Sequence, residues 1–191
     1  MPSEPPRRAT ELILRLRTVR RFRRDEDGAT AIEFGLVALP FFSLIFAIIE
    51  TALAFWSAQV LETAVAAAAR EIYTGSFQSS SGNANPDTAL INFKNSVCKN
   101  VIALFDCQKL VSVDIRRFES ANDVTLPNPI DKDKNYDTSS YGYSQPKGNE
   151  IAVVRASMEY PRFVSIAGQS TTLKSGKRLI MATATFRTEP Y

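Results

Sequence analysis

Few side chains in this 191-residue chain have the type and spacing that chemistry requires. Cys98 and Cys107 lie nine positions apart, Asp131, Asp133 and Asp137 recur through IDKDKNYD, and Glu33 and Glu50 bracket an uncharged run. The chain contains no histidine. Ser-His-Asp and Cys-His nucleophile pairs, His-ligated zinc and imidazole acid–base roles are thereby removed. Two cysteines alone cannot build a Cys₄ site or an iron–sulfur cluster. The three aspartates would suit calcium, but lysines stand between them and neither a glycine nor a terminal glutamate completes an EF-hand. A solvated charged loop is the default reading there. With no nucleophile–base pair, metal cluster or glycine-rich phosphate loop in view, no cofactor is expected and the chain reads as a non-enzyme.

The elements around these residues point to a membrane instead. Phe34 to Ile49 reads FGLVALPFFSLIFAII, sixteen residues without a charge. Glu33 and Glu50 lie seventeen positions apart, roughly 26 Å along a helix, so one carboxylate falls near each face of a bilayer core. Trp56 falls in the outer interfacial belt. The competing reading is a buried core helix, against which stand the fully apolar circumference and the basic residues before it. Residues 1–28 carry eight arginines against five acids, whereas residues 29–191 carry fifteen charges of each sign. The positive-inside rule keeps the basic leader cytoplasmic and places everything after Trp56 outside, in the periplasm of a bacterium. A neutral body offers no support for a nucleic-acid-binding surface.

Past the apolar run, SAQVLETAVAAAAREIY places Ala58, Leu61, Ala64, Val65, Ala68 and Ile72 at helical spacing on one face. A continuous helix from Ala29 to about Tyr73, roughly 66 Å long, is favoured over an anchor broken near Trp56, with Gly75 as its stop. Residues 76–191 read as a small α+β head. Ser76–Ala84 is expected to be a flexible linker. Asn85-Pro86 caps a second helix running to about Asp106. Leu110–Phe118, Ile151–Tyr160 and Arg178–Arg187 alternate as strands, with Val111, Val113 and Ile115 on one side of the first and Asp114 on the other. Three strands need a partner layer, and the amphipathic half of the long helix supplies it. Residues 119–149 lack periodicity and read as a mobile surface loop, its Tyr136, Tyr141 and Tyr143 a candidate contact surface.

Placing the head outside the cytoplasm makes a Cys98–Cys107 disulfide the leading reading, with two free thiols as the alternative. No CxxC motif suggests a redox site.

The junction reads Arg-Arg-Asp-Glu-Asp-Gly28-Ala29-Thr-Ala-Ile-Glu33-Phe34 and resembles a type IV prepilin processing site. Together with GATAIEFGLVALPFF…IIETALAF, the Cys98…LFDC107 pair and the EIAVVRASMEYP strand, it resembles the TadE-like family of minor pilins or pseudopilins of the tight-adherence (Flp) pilus. The resemblance implies cleavage between Gly28 and Ala29 by a prepilin peptidase, leaving an α+β pilin-like subunit. Its implied layout is a leader (1–28), a transmembrane half-helix (29–56), an amphipathic half (57–75) and a periplasmic head (76–191). Implied partners are other pilins, the inner-membrane assembly platform and membrane lipid. Physical reasons accompany the pattern. Glycine clears the approach of a peptidase to the bond, and Glu33 lies one helical turn from the amine that cleavage would expose on Ala29. An intramembrane carboxylate is costly and therefore a functional candidate. Two other outcomes stay open: a secreted protein cut after Ala54, in an A-x-A context, and an uncleaved single-pass anchor with a periplasmic binding head.

Overall fold

The computed structural model describes residues 26–81, 84–101, 105–162 and 173–190. Helix α1 (Glu26–Tyr73) is followed by a six-residue helix, α2 (Ser76–Ser81), then α3 (Pro86–Lys99) and α4 (Cys107–Leu110). Strands β1 (Ser112–Phe118), β2 (Ile151–Tyr160) and β3 (Arg178–Arg187) form an antiparallel sheet in the order β1-β2-β3. The fold is α+β, a long N-terminal helix packed on a three-stranded antiparallel sheet with additional short helices. The chain divides into two compact units between Ile48 and Ile49.

The first unit, as far as it is described, is helix alone. Pro40 lies within α1 without ending it. Its large apolar side chains face outward all round, Phe34 at 71% and Leu39 at 72% exposure.

In the second unit the same helix becomes one wall of a core. Leu61, Ala64, Val65, Ala68 and Ile72 are buried, the face that the spacing marks, and Ala54, Ser57 and Val60 extend it toward the N-terminus. Packing on the head thus begins before Ser57, where the sequence places the start of the amphipathic half. Gly75 closes the helix at φ 75°, in the left-handed region where glycine carries no steric penalty, and its amide donates to the Ile72 carbonyl at 3.2 Å. Opposite this wall stand Val113 and Ile115 of β1, Ala152, Val154, Ala156 and Met158 of β2, and Ile180 and Ala182 of β3.

Two expectations need correction. Residues 76–81 are helical, because Phe77 is an anchor: it is buried and meets Phe93 and Tyr143 edge to face. The second helix ends at Lys99 and not near Asp106; Asp106 instead caps α4, its carboxylate accepting from the Lys109 amide. Asn85 and Pro86 do start α3 as their types predict. Residues 102–104, within the span expected for that helix, lie outside the described residues.

Candidate functional site

Two places carry the residues singled out by chemistry: the junction at the start of α1 and the interior of the head. At the junction the helix already runs from Glu26, so the Gly28–Ala29 peptide bond lies within its first turn. Ala29 and Glu33 sit one turn apart, and Glu33 and Phe34 are both exposed. A Cβ built on Gly28 would meet nothing within 4 Å. Nothing in the described structure therefore requires glycine at this position. Glu50, at the other end of the apolar run, has the Arg162 guanidinium 3.9 Å from its carboxylate.

In the head, Cys98 and Cys107 are joined as a disulfide, with Cα atoms 5.6 Å apart. The bond ties the end of α3 to the start of α4, across nine positions of chain. Closing a loop of that size contributes about 2–3 kcal/mol in the chain-entropy account.

The second face of the sheet holds an arrangement that alternation alone does not reveal. Asp114 and Arg155 are direct partners across β1 and β2. Asp114 is completely buried and Arg155 is 4% exposed. Arg155 donates to Asp114 Oδ2 from Nη2 at 2.6 Å and from Nε at 3.2 Å, and its Nη1 donates to the Pro127 carbonyl at 2.9 Å. Asp114 Oδ1 accepts from Arg116 Nε at 2.8 Å and from the Gly142 amide at 2.9 Å. A buried ion pair compensates its desolvation only when its remaining hydrogen-bonding positions are met, and here residues 119–149 meet them. Arg116 reaches the Ser140 carbonyl. The Ile115 amide donates to the Gly142 carbonyl and the Ser144 amide to the Ile115 carbonyl, which extends the sheet beyond β1.

Residues 119–149 thus lie over the polar face of the sheet. Tyr136 and Tyr141 place their hydroxyls 2.9 and 2.8 Å from Ser157 Oγ, and the Arg155 guanidinium stacks 5.2 Å from the Tyr141 ring centre. Tyr143 packs on the apolar core beside Phe77. The three tyrosines expected to mark a contact surface are spent on holding this segment down. Burial, the largest influence on Tyr141, pushes its phenol above the ordinary tyrosine value, so it remains protonated at neutral pH. Together the hydrogen bonds to Ser157 tie Tyr136 and Tyr141 to β2.

The aspartates of IDKDKNYD also have local roles. Asp131 accepts from the Asp133 and Asn135 amides and from Asn135 Nδ2, and Asp137 accepts from the Ser139 amide. These bonds hold both carboxyls below the usual aspartate range. No group of three or more metal-ligating side chains converges among the described residues.

The pairing of Asp114 with Arg155 is the feature that sequence reading misses. Its one available signal is a strand, IAVVRASMEY, with Arg155 at its centre facing the same side as Ser157.

Residues 28–70 match the family model described as TadE-like protein. No curated protein and no solved structure matches the chain. The matched span starts at the junction glycine and ends three residues before the end of α1, and over that span the chain is similar to the TadE-like family.

Proposed function

We propose that this protein is a minor pilin or pseudopilin, a structural subunit needed to assemble a tight-adherence (Flp) pilus and hence for surface adhesion. Residues 1–28 form a cytoplasmic leader that a prepilin peptidase removes after Gly28. Residues 29–56 lie in the inner membrane and the disulfide-bonded head lies in the periplasm. Its partners are the peptidase, other pilins, the inner-membrane assembly platform and lipid.

One observation carries this reading: the TadE-like match begins at Gly28 and runs along a helix that is apolar and outward-facing first and core-forming afterwards. An 18-residue window of that helix has a mean hydropathy of 2.3, with none of it buried, so the helix is apolar enough to cross a membrane and requires an apolar environment from outside itself. The space around Gly28 supports the same reading. A glycine that the fold does not need is accounted for by a peptidase that does. Unwinding the first turn of α1 would present the bond in extended form, and glycine lowers that cost by about 1 kcal/mol relative to alanine. After cleavage the Ala29 amine gains Glu33 as a neighbour one turn away, within one subunit or between adjacent ones.

Replacing Gly28 with phenylalanine in a pilus-forming cell tests the proposal. The variant should keep its leader, insert normally and fold its head, and the cell should lose pili. Normal processing and normal pili in the Gly28→Phe strain would refute it.

A further inference from the structure

Glu50 immediately follows the apolar run, so it marks the edge of the bilayer's hydrocarbon core, with residues 51–56 at headgroup depth. Arg162, 3.9 Å from its carboxylate, puts the end of β2 at that same level. β3 starts there too, Arg178 being paired with Tyr160 and Leu179 with Glu159. The turn leading into β3 is fastened at this end, with Ser175 Oγ and Lys177 Nζ each 2.9 Å from the Glu159 carboxylate. The Lys174 amide donates to the Lys134 carbonyl at 2.8 Å, which brings the 131–135 turn alongside. The opposite end of the head is marked by Tyr73, whose carbonyl accepts from the Glu189 amide. Lys147 is at that far end, its carbonyl accepting from Thr188 Oγ1. The ten residues of β3 separate the ends by roughly 30 Å at about 3.3 Å per residue.

The end level with Glu50 gathers Lys132, Lys134, Arg162, Lys174, Lys177 and Arg178. Its acids are mostly occupied. Glu50 faces Arg162, Glu159 faces Lys177, and Asp131 is turned onto the amides of its own turn; Asp133 is exposed. Lys132, Lys134 and Lys174 are exposed; Lys174 acts on the Asp131 carboxyl through its charge, but none of the three makes an ion pair within 4.0 Å among the described residues. Phe55 and Trp56, within two turns of Glu50, are exposed on the helix at 68% and 54%, the placement that aromatic side chains take at headgroup depth.

We propose that this end of the head is a lipid-contacting surface, with Lys132, Lys134 and Lys174 resting on the anionic phosphate headgroups of the bilayer that holds α1. The proposal rests on the membrane reading of the apolar run. Attraction of basic side chains to an anionic leaflet fades within a Debye length of about 8–10 Å, so lysines at this end feel it and Lys147 does not. Such contact would hold the head against the membrane until assembly draws the subunit away.

The full chain, reconstituted into vesicles of phosphatidylcholine alone or mixed with phosphatidylglycerol, provides the test. A membrane-impermeant acetylating reagent labels outward-facing heads, and peptide mass spectrometry reads the rate at each lysine against Lys147. Labelling of Lys132, Lys134 and Lys174 should be several-fold slower in the anionic vesicles and should recover in high salt. Equal rates in both lipids overturn the proposal. Protection that is the same in both and indifferent to salt also overturns it, and assigns this end to contact between copies of the chain. Failure of the chain to float with either vesicle overturns the membrane reading itself, a result distinct from unprotected lysines in a chain that does float.

Discussion

The two halves of α1 draw on the same apolar residue types and meet opposite fates. Before Ile49, phenylalanine, leucine and isoleucine point outward on every side; beyond it, Leu61, Ala64, Ala68 and Ile72 are completely buried. Periodicity makes the difference. An apolar stripe three or four residues apart can be satisfied by one partner layer, and the sheet provides it. An apolar cylinder cannot, and has to be covered by lipid or by neighbouring helices. Hydrophobicity within one helix therefore performs two tasks, holding one fold together and committing the chain to an environment.

The largest way to break this comparison acts on the head alone. Asp114→Ala leaves Arg155 buried without its carboxylate and should cost about 3–5 kcal/mol of head stability in chemical denaturation. Replacing Asp114 with leucine and Arg155 with methionine together should cost far less, and neither change should alter membrane partitioning. Next in size, Leu61→Ala should destabilise the head by about 2–5 kcal/mol. Leu39→Ala should leave it within about 0.5 kcal/mol of the wild type. Equal losses from the two would erase the distinction between the halves.

Smaller effects sharpen it. Removing both thiols by Cys98→Ser and Cys107→Ser should cost about 2–3 kcal/mol and make the head easier to degrade, with insertion and leader removal intact. Peptide mapping without reductant should find the bond in protein from its native compartment. At the junction, Glu33→Gln should still be processed but should assemble poorly, since the Ala29 amine loses its negative neighbour; Glu50→Gln, which alters a contact with Arg162, should affect pili less. The reverse order would mean that the important carboxylate is Glu50.

The smallest expected effect is acid sensitivity. Burial favours the neutral forms of Glu150 and Glu159, but it is outweighed. For Glu150 the Lys147 amide and the Arg117 guanidinium prevail, and for Glu159 Lys177 and Ser175 do, so both carboxyls sit below the ordinary glutamate value. A depressed folded value means that the stabilisation is complete above the unfolded pKa, about 4.3, and is lost as pH falls through the folded one. The melting temperature of the head should hold from neutrality to about pH 5 and decline below about pH 4.3. A flat profile down to pH 3 would show that these links contribute nothing.

What the sequence discloses depends on the range of its signals. Ile151–Tyr160 and Arg178–Arg187 are strands over the residues that alternation marks, and the Leu61–Ile72 face is buried as its spacing requires. Such patterns report a residue's near neighbours. Asp114 and Arg155 are 41 positions apart, and nothing within either segment says that they meet. Residues 119–149 read as a surface loop because their contacts are hydrogen bonds from irregular backbone and three tyrosine side chains, which have no period. Phe77 escapes notice because one aromatic among serines looks like a linker. The junction reading rests on residue type and spacing alone: a Cβ at Gly28 would meet nothing within 4 Å, and Glu33 is exposed at the edge of the apolar run.

The central claim is that this chain is matured at Gly28 and held in a membrane by the apolar half of α1. N-terminal sequencing and intact-mass measurement of the protein recovered from membranes of a pilus-forming cell test it most directly. The expected product is a chain beginning at Ala29, with residues 1–28 gone and the Cys98–Cys107 bond in place. A terminus at Phe55 in soluble protein would establish secretion, and an intact Met1 terminus in a piliated cell would establish a plain anchor; either result contradicts the claim.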